Sequence, residues 1–146
     1  MTLNKLTKTL CIYLSLAGIL VACTTTITRT KDPVFHSGMD SIQIDLAKMV
    51  TYENINLNGK EISTNGKVTT ELEVDILNGK GIPADDNEMK KLGKSIAAEL
   101  KKALKDKNEY DTYKVLFVTR ETSGGVIRRT WKGSAFKSEE LWNPFD

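Results

Sequence analysis

One stretch limits the fold more than any other. "DDNEMKKLGKSIAAELKKALKDK", residues 85–107, carries the chain's single long apolar stripe of helical spacing. Met89, Leu92, Ile96, Leu100, Ala103 and Leu104 recur three and four apart, so they line one face of a helix from about Asp86 to Lys107. Asp85 stands where an N-cap belongs, and Glu88 follows three residues on, as in a capping box. Acidic Asp86 and Glu88 occupy the positive end of the helix dipole, and Lys101, Lys102, Lys105 and Lys107 crowd the negative end. Gly93 costs about 1 kcal/mol inside a helix, so it marks a close approach to a strand.

Everything around this helix reads as strand. In "VTTELEVDI", Val68, Thr70, Leu72, Val74 and Ile76 face one way, and Thr69, Glu71, Glu73 and Asp75 the other. In "YKVLFVTR", Tyr113, Val115 and Phe117 share a face opposite Lys114, Leu116 and Val118. "ETSGGVIRRTW" turns at Gly124-Gly125 into a further strand with Ile127 and Trp131 on one side. Asn-Gly-Lys recurs at 58–60, 65–67 and 78–80. Because Asn-Gly tolerates positive φ, the first two copies predict a meander: a strand near 49–57, a short strand near 60–64, then the strand at 67–77. "SIQIDLAKMV" fits both periods: Ile42, Ile44 and Leu46 alternate, while Met39, Ile42, Leu46 and Met49 suit a helix. The expected fold is α+β: an antiparallel β-sheet of about four or five strands with one long helix packed on one face. A lone helix cannot cover both faces of a parallel sheet, which argues for antiparallel strands.

The amino-terminal region reads differently. Lys5 and Lys8 precede "TLCIYLSLAGILVA", residues 9–22, an apolar run of about 14 residues, short of the roughly 20 that span a bilayer. A cationic start, a short apolar run and small residues before a cut describe a secretory signal peptide. Leu20-Val21-Ala22-Cys23 resembles the lipobox of bacterial lipoprotein precursors. The resemblance implies lipidation of Cys23, cleavage before it, and acylation of the new amino terminus. It covers residues 1–23 alone. The alternatives are a permanent membrane helix or an ordinary signal peptide with a chance cysteine. The expected organisation is a signal peptide at 1–22, a lipidated tether at 23–34 and a single α+β domain at 35–146. A lipobox followed by one short α+β domain is similar to small bacterial lipoproteins of unknown function.

Charge and cysteine content follow from that leader. The chain has 21 Lys and Arg against 19 Asp and Glu. Lys5 and Lys8 account for the excess, so the region after residue 22 is balanced and gives no argument for nucleic acid. Cys11 leaves with the leader and Cys23 is alkylated, so the mature chain holds no free thiol or disulfide, and stability rests on its core.

Few residues suggest chemistry. His36 is the one histidine, so neither a Cys/His zinc site nor a two-histidine metal motif can be built, and its plain reading is a surface residue. "PADDNE" caps a helix and lacks the spacing of a calcium loop. No cofactor and no metal are expected. Glu71, Glu73 and Asp75 form an acidic stripe, read as a solvated sheet face or as carboxylates for acid–base work. Lys114, Arg128 and Lys132 are its candidate cross-strand partners. On a wet face, Glu73→Ala should change stability by less than about 0.5 kcal/mol. Arg129 and Trp131 share a strand face and permit glycan or phosphate contact, against the plainer alternative of a core Trp with exposed arginines.

The expected function is a lipid-anchored, non-enzymatic envelope module that binds a protein or glycan through its sheet face or tail. The alternative is a small envelope hydrolase or lyase using Glu71, Glu73 or Asp75. Its partners would be the membrane, through acyl chains on Cys23, and an envelope protein or glycan. Thr24 is not the Asp that retains many lipoproteins at the inner membrane, and no acidic run follows Cys23. The expected location is the outer membrane, facing the periplasm, or the outer face of the cell membrane in a Gram-positive source.

Overall fold

A computed structural model describes residues 24–141. Cys23, the whole leader, and residues 142–146 with Trp142 and Phe145 lie outside the described residues. The order is β1 (Thr26–Thr30), α1 (Gly38–Ala47), β2 (Asn54–Thr64), β3 (Lys67–Leu77), α2 (Asp86–Ala103), β4 (Thr112–Ser123) and β5 (Val126–Lys137), then a 3₁₀ turn at Ser138–Leu141. The strands form one five-stranded sheet in chain order, β1-β2-β3-β4-β5. The class is α+β.

The sheet is mixed rather than antiparallel. β1·β2, β2·β3 and β4·β5 are antiparallel, whereas β3 and β4 run parallel, from Glu71 opposite Thr112 to Leu77 opposite Val118. Helix α2 is the reason. Its 18 residues rise about 27 Å at 1.5 Å per residue, enough to carry the chain back to the end where β3 began. One parallel pair with a polar outer face needs no second layer of helices, so the argument from a lone helix did not apply.

There are also two helices among the described residues, not one. The ambiguous stretch at 41–50 lies mostly in α1. Ile42 and Leu46 are buried, but Ile44 is 62% exposed, a pattern that helical spacing allows and strand alternation forbids. Both helices contribute to one core with β3, β4 and β5: Ile42, Leu46, Ile96 and Leu100 cluster with Leu72, Val74, Ile76, Tyr113, Val115, Phe117 and Phe136.

Helix α2 starts at the N-cap its sequence predicts, without the return bond from Glu88 that completes a capping box. The Asp85 carboxylate accepts the N–H groups of Asn87 and Glu88, both at 3.0 Å. Glu88 pairs with Lys91 at 2.7 Å. The helix ends at Ala103, short of Lys107, because Leu104 turns extended, bridges Phe35 and is fully buried. A Cβ on Gly93 would sit 3.4 Å from the Phe136 ring, which is the close approach its sequence position suggested.

The three Asn-Gly-Lys copies do three different things. Asn65-Gly66 makes the β2–β3 hairpin turn, with φ of 51° and 80°. Asn58-Gly59-Lys60 makes no turn and lies inside β2, so the predicted strand break there is absent. Gly59 is needed because the incoming chain crosses it: an added Cβ would meet the Lys31 carbonyl oxygen and the Tyr110 hydroxyl. Asn78, at φ 50°, ends β3; its N–H donates to the Val118 carbonyl and its Oδ1 accepts the Arg120 N–H at 2.7 Å.

Residues 26–30, part of the region read as tether, form the edge strand β1. Lys31 then fixes the chain. Its N–H donates to the Gly59 carbonyl (2.8 Å), and its carbonyl accepts the Tyr110 hydroxyl (2.6 Å).

Candidate functional site

Alternation places Glu71, Glu73 and Asp75 on the sheet face away from the helices, since Leu72, Val74 and Ile76 fill the core face. Glu73 is the hub of that face. Its two carboxylate oxygens take Lys60 Nζ at 3.0 Å and Lys114 Nζ at 2.7 Å, and its side chain is only 15% exposed. Burial alone would raise its pKa; the hydrogen bonds and charges of Lys114 and Lys60 outweigh this and hold the carboxyl below its ordinary value. Lys114 is held above its ordinary value, first by its bond to Glu73. Of the three predicted partners, only Lys114 reaches the stripe. Lys132 lies near Asp86 at 3.7 Å, and Arg128 stands beyond the end of β3. Lys60 was missed because its Asn-Gly-Lys was read as a turn.

Asp75 is the unsatisfied member. Its Oδ1 is buried and has no hydrogen-bond partner among the described residues. Burial, then the neighbouring Glu73 charge, pushes its carboxyl up. Acid–base chemistry would also need a cleft over it. Two open grooves lie elsewhere. One of about 750 Å³ is lined by Lys101, Tyr110, Asp111 and Lys137; another, of about 660 Å³, runs beside the start of α2. No acidic-stripe residue lines either. His36 is exposed, and no cluster of metal-ligating residues occurs among the described residues.

The basic-aromatic residues stand on a different feature. β3 pairs with β4 only as far as Leu77–Val118, but β4 and β5 remain paired to Ser123–Val126. The last stretch is therefore a two-stranded ribbon projecting past the sheet, closed by Gly124 and Gly125 at φ 57° and 80°. Every residue from Thr119 to Gly133 is exposed. Val126 is 70% and Trp131 68% exposed, so Trp131 is not a core residue.

Register sorts the ribbon's faces. Val118 lies opposite Trp131, Arg120 opposite Arg129, and Thr122 opposite Ile127, all continuing the face of the acidic stripe. The other face carries Glu121 opposite Arg128. Arg120 had not been singled out. Counting back from the Gly124-Gly125 turn would have paired it with Arg129. The ribbon thus brings Arg129 and Trp131 together with Arg120, apart from Glu71, Glu73 and Asp75.

Fold and site define an α+β protein with one helix-covered face, one polar face and a protruding basic-aromatic ribbon. No family model, no curated protein and no solved structure matches this chain.

Proposed function

We propose that the chain is a lipid-anchored bacterial envelope protein whose β4–β5 ribbon is a non-enzymatic contact surface. The ribbon's exposure carries this reading: Trp131 at its root and Ile127 and Val126 farther out stand in solvent, and none of the three belongs to the core. A solvent-facing aromatic beside arginines is the composition of a recognition surface. The leader and Leu20-Val21-Ala22-Cys23 support the anchor. No helix of the described residues is long and apolar enough to cross a membrane.

The topology gives the two ends different roles. Cys23 precedes β1 by three residue steps, about 10 Å of extended chain. Thr26 lies opposite Thr64, beside the β2–β3 turn. The β4–β5 turn is at the other end of the sheet. Along β3 from Lys67 to Leu77, then along β4 from Val118 to Ser123, the separation is roughly 50 Å at about 3.3 Å per residue. An acylated Cys23 would hold one end at the bilayer and present the ribbon away from it. In a Gram-negative cell the proposed position is the outer membrane, facing the periplasm. In a Gram-positive cell it is the outer face of the cell membrane.

Acyl-probe labelling tests the anchor. Wild type should label and Cys23→Ala should not; equal labelling would refute the lipobox reading. Protease added to intact Gram-negative cells should leave the protein whole. The alternative, a small hydrolase or lyase, has the desolvated Asp75 carboxyl in its favour. Neither of the two grooves described above is lined by that carboxyl.

A further inference from the structure

We infer that Arg120, Arg129 and Trp131 form a binding site for an anionic saccharide, a sugar bearing phosphate or carboxylate. This rests on the reading of the ribbon as a contact surface and gives that surface a ligand class.

The first observation is a like-charge pair. Arg120 and Arg129 are directly opposite across β4 and β5, and both are exposed. Neither has an ion-pair partner among the described residues. Like charges in register weaken a strand pair, and here they sit on a ribbon with no third strand beside it. On the opposite face the neighbouring position sets an acid against a base instead, Glu121 in register with Arg128. Two guanidiniums side by side match one phosphate or carboxylate, whose oxygens accept paired N–H donors. A bound anion would convert the repulsion into two charge-assisted contacts.

The second observation selects a sugar over a bare anion. Trp131 occupies the adjacent position on the same strand face, two residues from Arg129, with Val118 opposite it. Its ring is mostly exposed. An apolar plate next to a cationic pair fits a ligand with a flat C–H-bearing ring joined to an anionic group. If Cys23 is the anchor, the site lies far from the protein's own bilayer, which favours a soluble or wall-borne glycan over a lipid headgroup.

The test uses the full chain in neutral detergent micelles, followed by NMR of its indole N–H signals, with Trp131 assigned by Trp131→Phe. The probes are glucose, inorganic phosphate and glucose 1-phosphate. Glucose 1-phosphate should move the Trp131 signal and bind at least ten-fold more tightly than either other probe. Arg120→Gln and Arg129→Gln should each weaken it ten-fold or more, with melting temperature unchanged or raised, and Arg129→Lys should recover only part of the loss. Added salt should weaken binding. Equal affinity for inorganic phosphate would overturn the saccharide assignment. An unmoved Trp131 signal, or loss of binding only where ribbon amide signals collapse, would overturn the site. Acylation is not read here, so failure of the site and failure of the anchor are distinguishable.

Discussion

At the scale of single residues, the polar face is less uniform than its alternation suggests. Glu71, Glu73 and Asp75 look equivalent in sequence, yet Glu73 is tied to two lysines and Asp75 Oδ1 has no hydrogen-bond partner among the described residues. Glu73→Ala would leave Lys60 and Lys114 half-buried without their carboxylate, so a cost of about 1 kcal/mol replaces the small effect expected of a wet face. Asp75 should behave oppositely. Its carboxyl is raised in the folded state, so its protonated form favours folding. That contribution is fully present below the unfolded pKa and is lost as pH rises through the higher folded value. Asp75→Asn should therefore stabilise the protein at neutral pH by about 0.5–1 kcal/mol, with the gain fading in acid. Urea denaturation at two pH values would show it; a gain independent of pH would contradict the assignment. The tyrosines form a second contrast. Tyr110 donates to the Lys31 carbonyl, whereas the buried Tyr113 hydroxyl has no partner among the described residues. Tyr110→Phe should cost about 1 kcal/mol and Tyr113→Phe close to nothing, as measured by the same denaturation.

At the scale of elements, α2 and the faces of β3 and β4 were legible because burial imposes its period directly on sequence. Leu72, Val74 and Ile76 are all fully buried, as their alternation required. The Asn-Gly-Lys copies were not equally legible. Asn-Gly permits a turn, but tertiary contact decides whether one forms, and nothing local records that Lys31 and Tyr110 come to rest on Gly59. The parallel pairing of β3 and β4 was hidden for a similar reason, since strand sequence carries little sign of direction. Gly59→Ala should accordingly be far worse than Gly66→Ala. The first forces backbone apart, while the second only strains a turn residue at φ 80° by about 1 kcal/mol. Thermal denaturation of the two variants decides this; equal losses would mean that β1 and Lys31 do not rest on β2. Leu100→Ala, fully buried on α2, should cost about 2–5 kcal/mol and bring a domain of this size close to unfolding.

At the scale of the whole molecule, the central claim is one of polarity: an anchored end and a displayed end. The ribbon's sequence showed Arg129 and Trp131 sharing a face, but not that the ribbon outruns β3, which depends on where the parallel pairing stops. The most direct measurement places single labels at the two ends. If Cys11 is removed and Cys23 alkylated, a cysteine introduced at Lys67 or at Thr122 is the only free thiol of the mature chain. Each labelled lipoprotein would be reconstituted into vesicles carrying quenchers at the lipid headgroups. Strong quenching at 67 with little at 122 is the predicted result. Equal quenching at both positions, or stronger quenching at 122, would contradict the account.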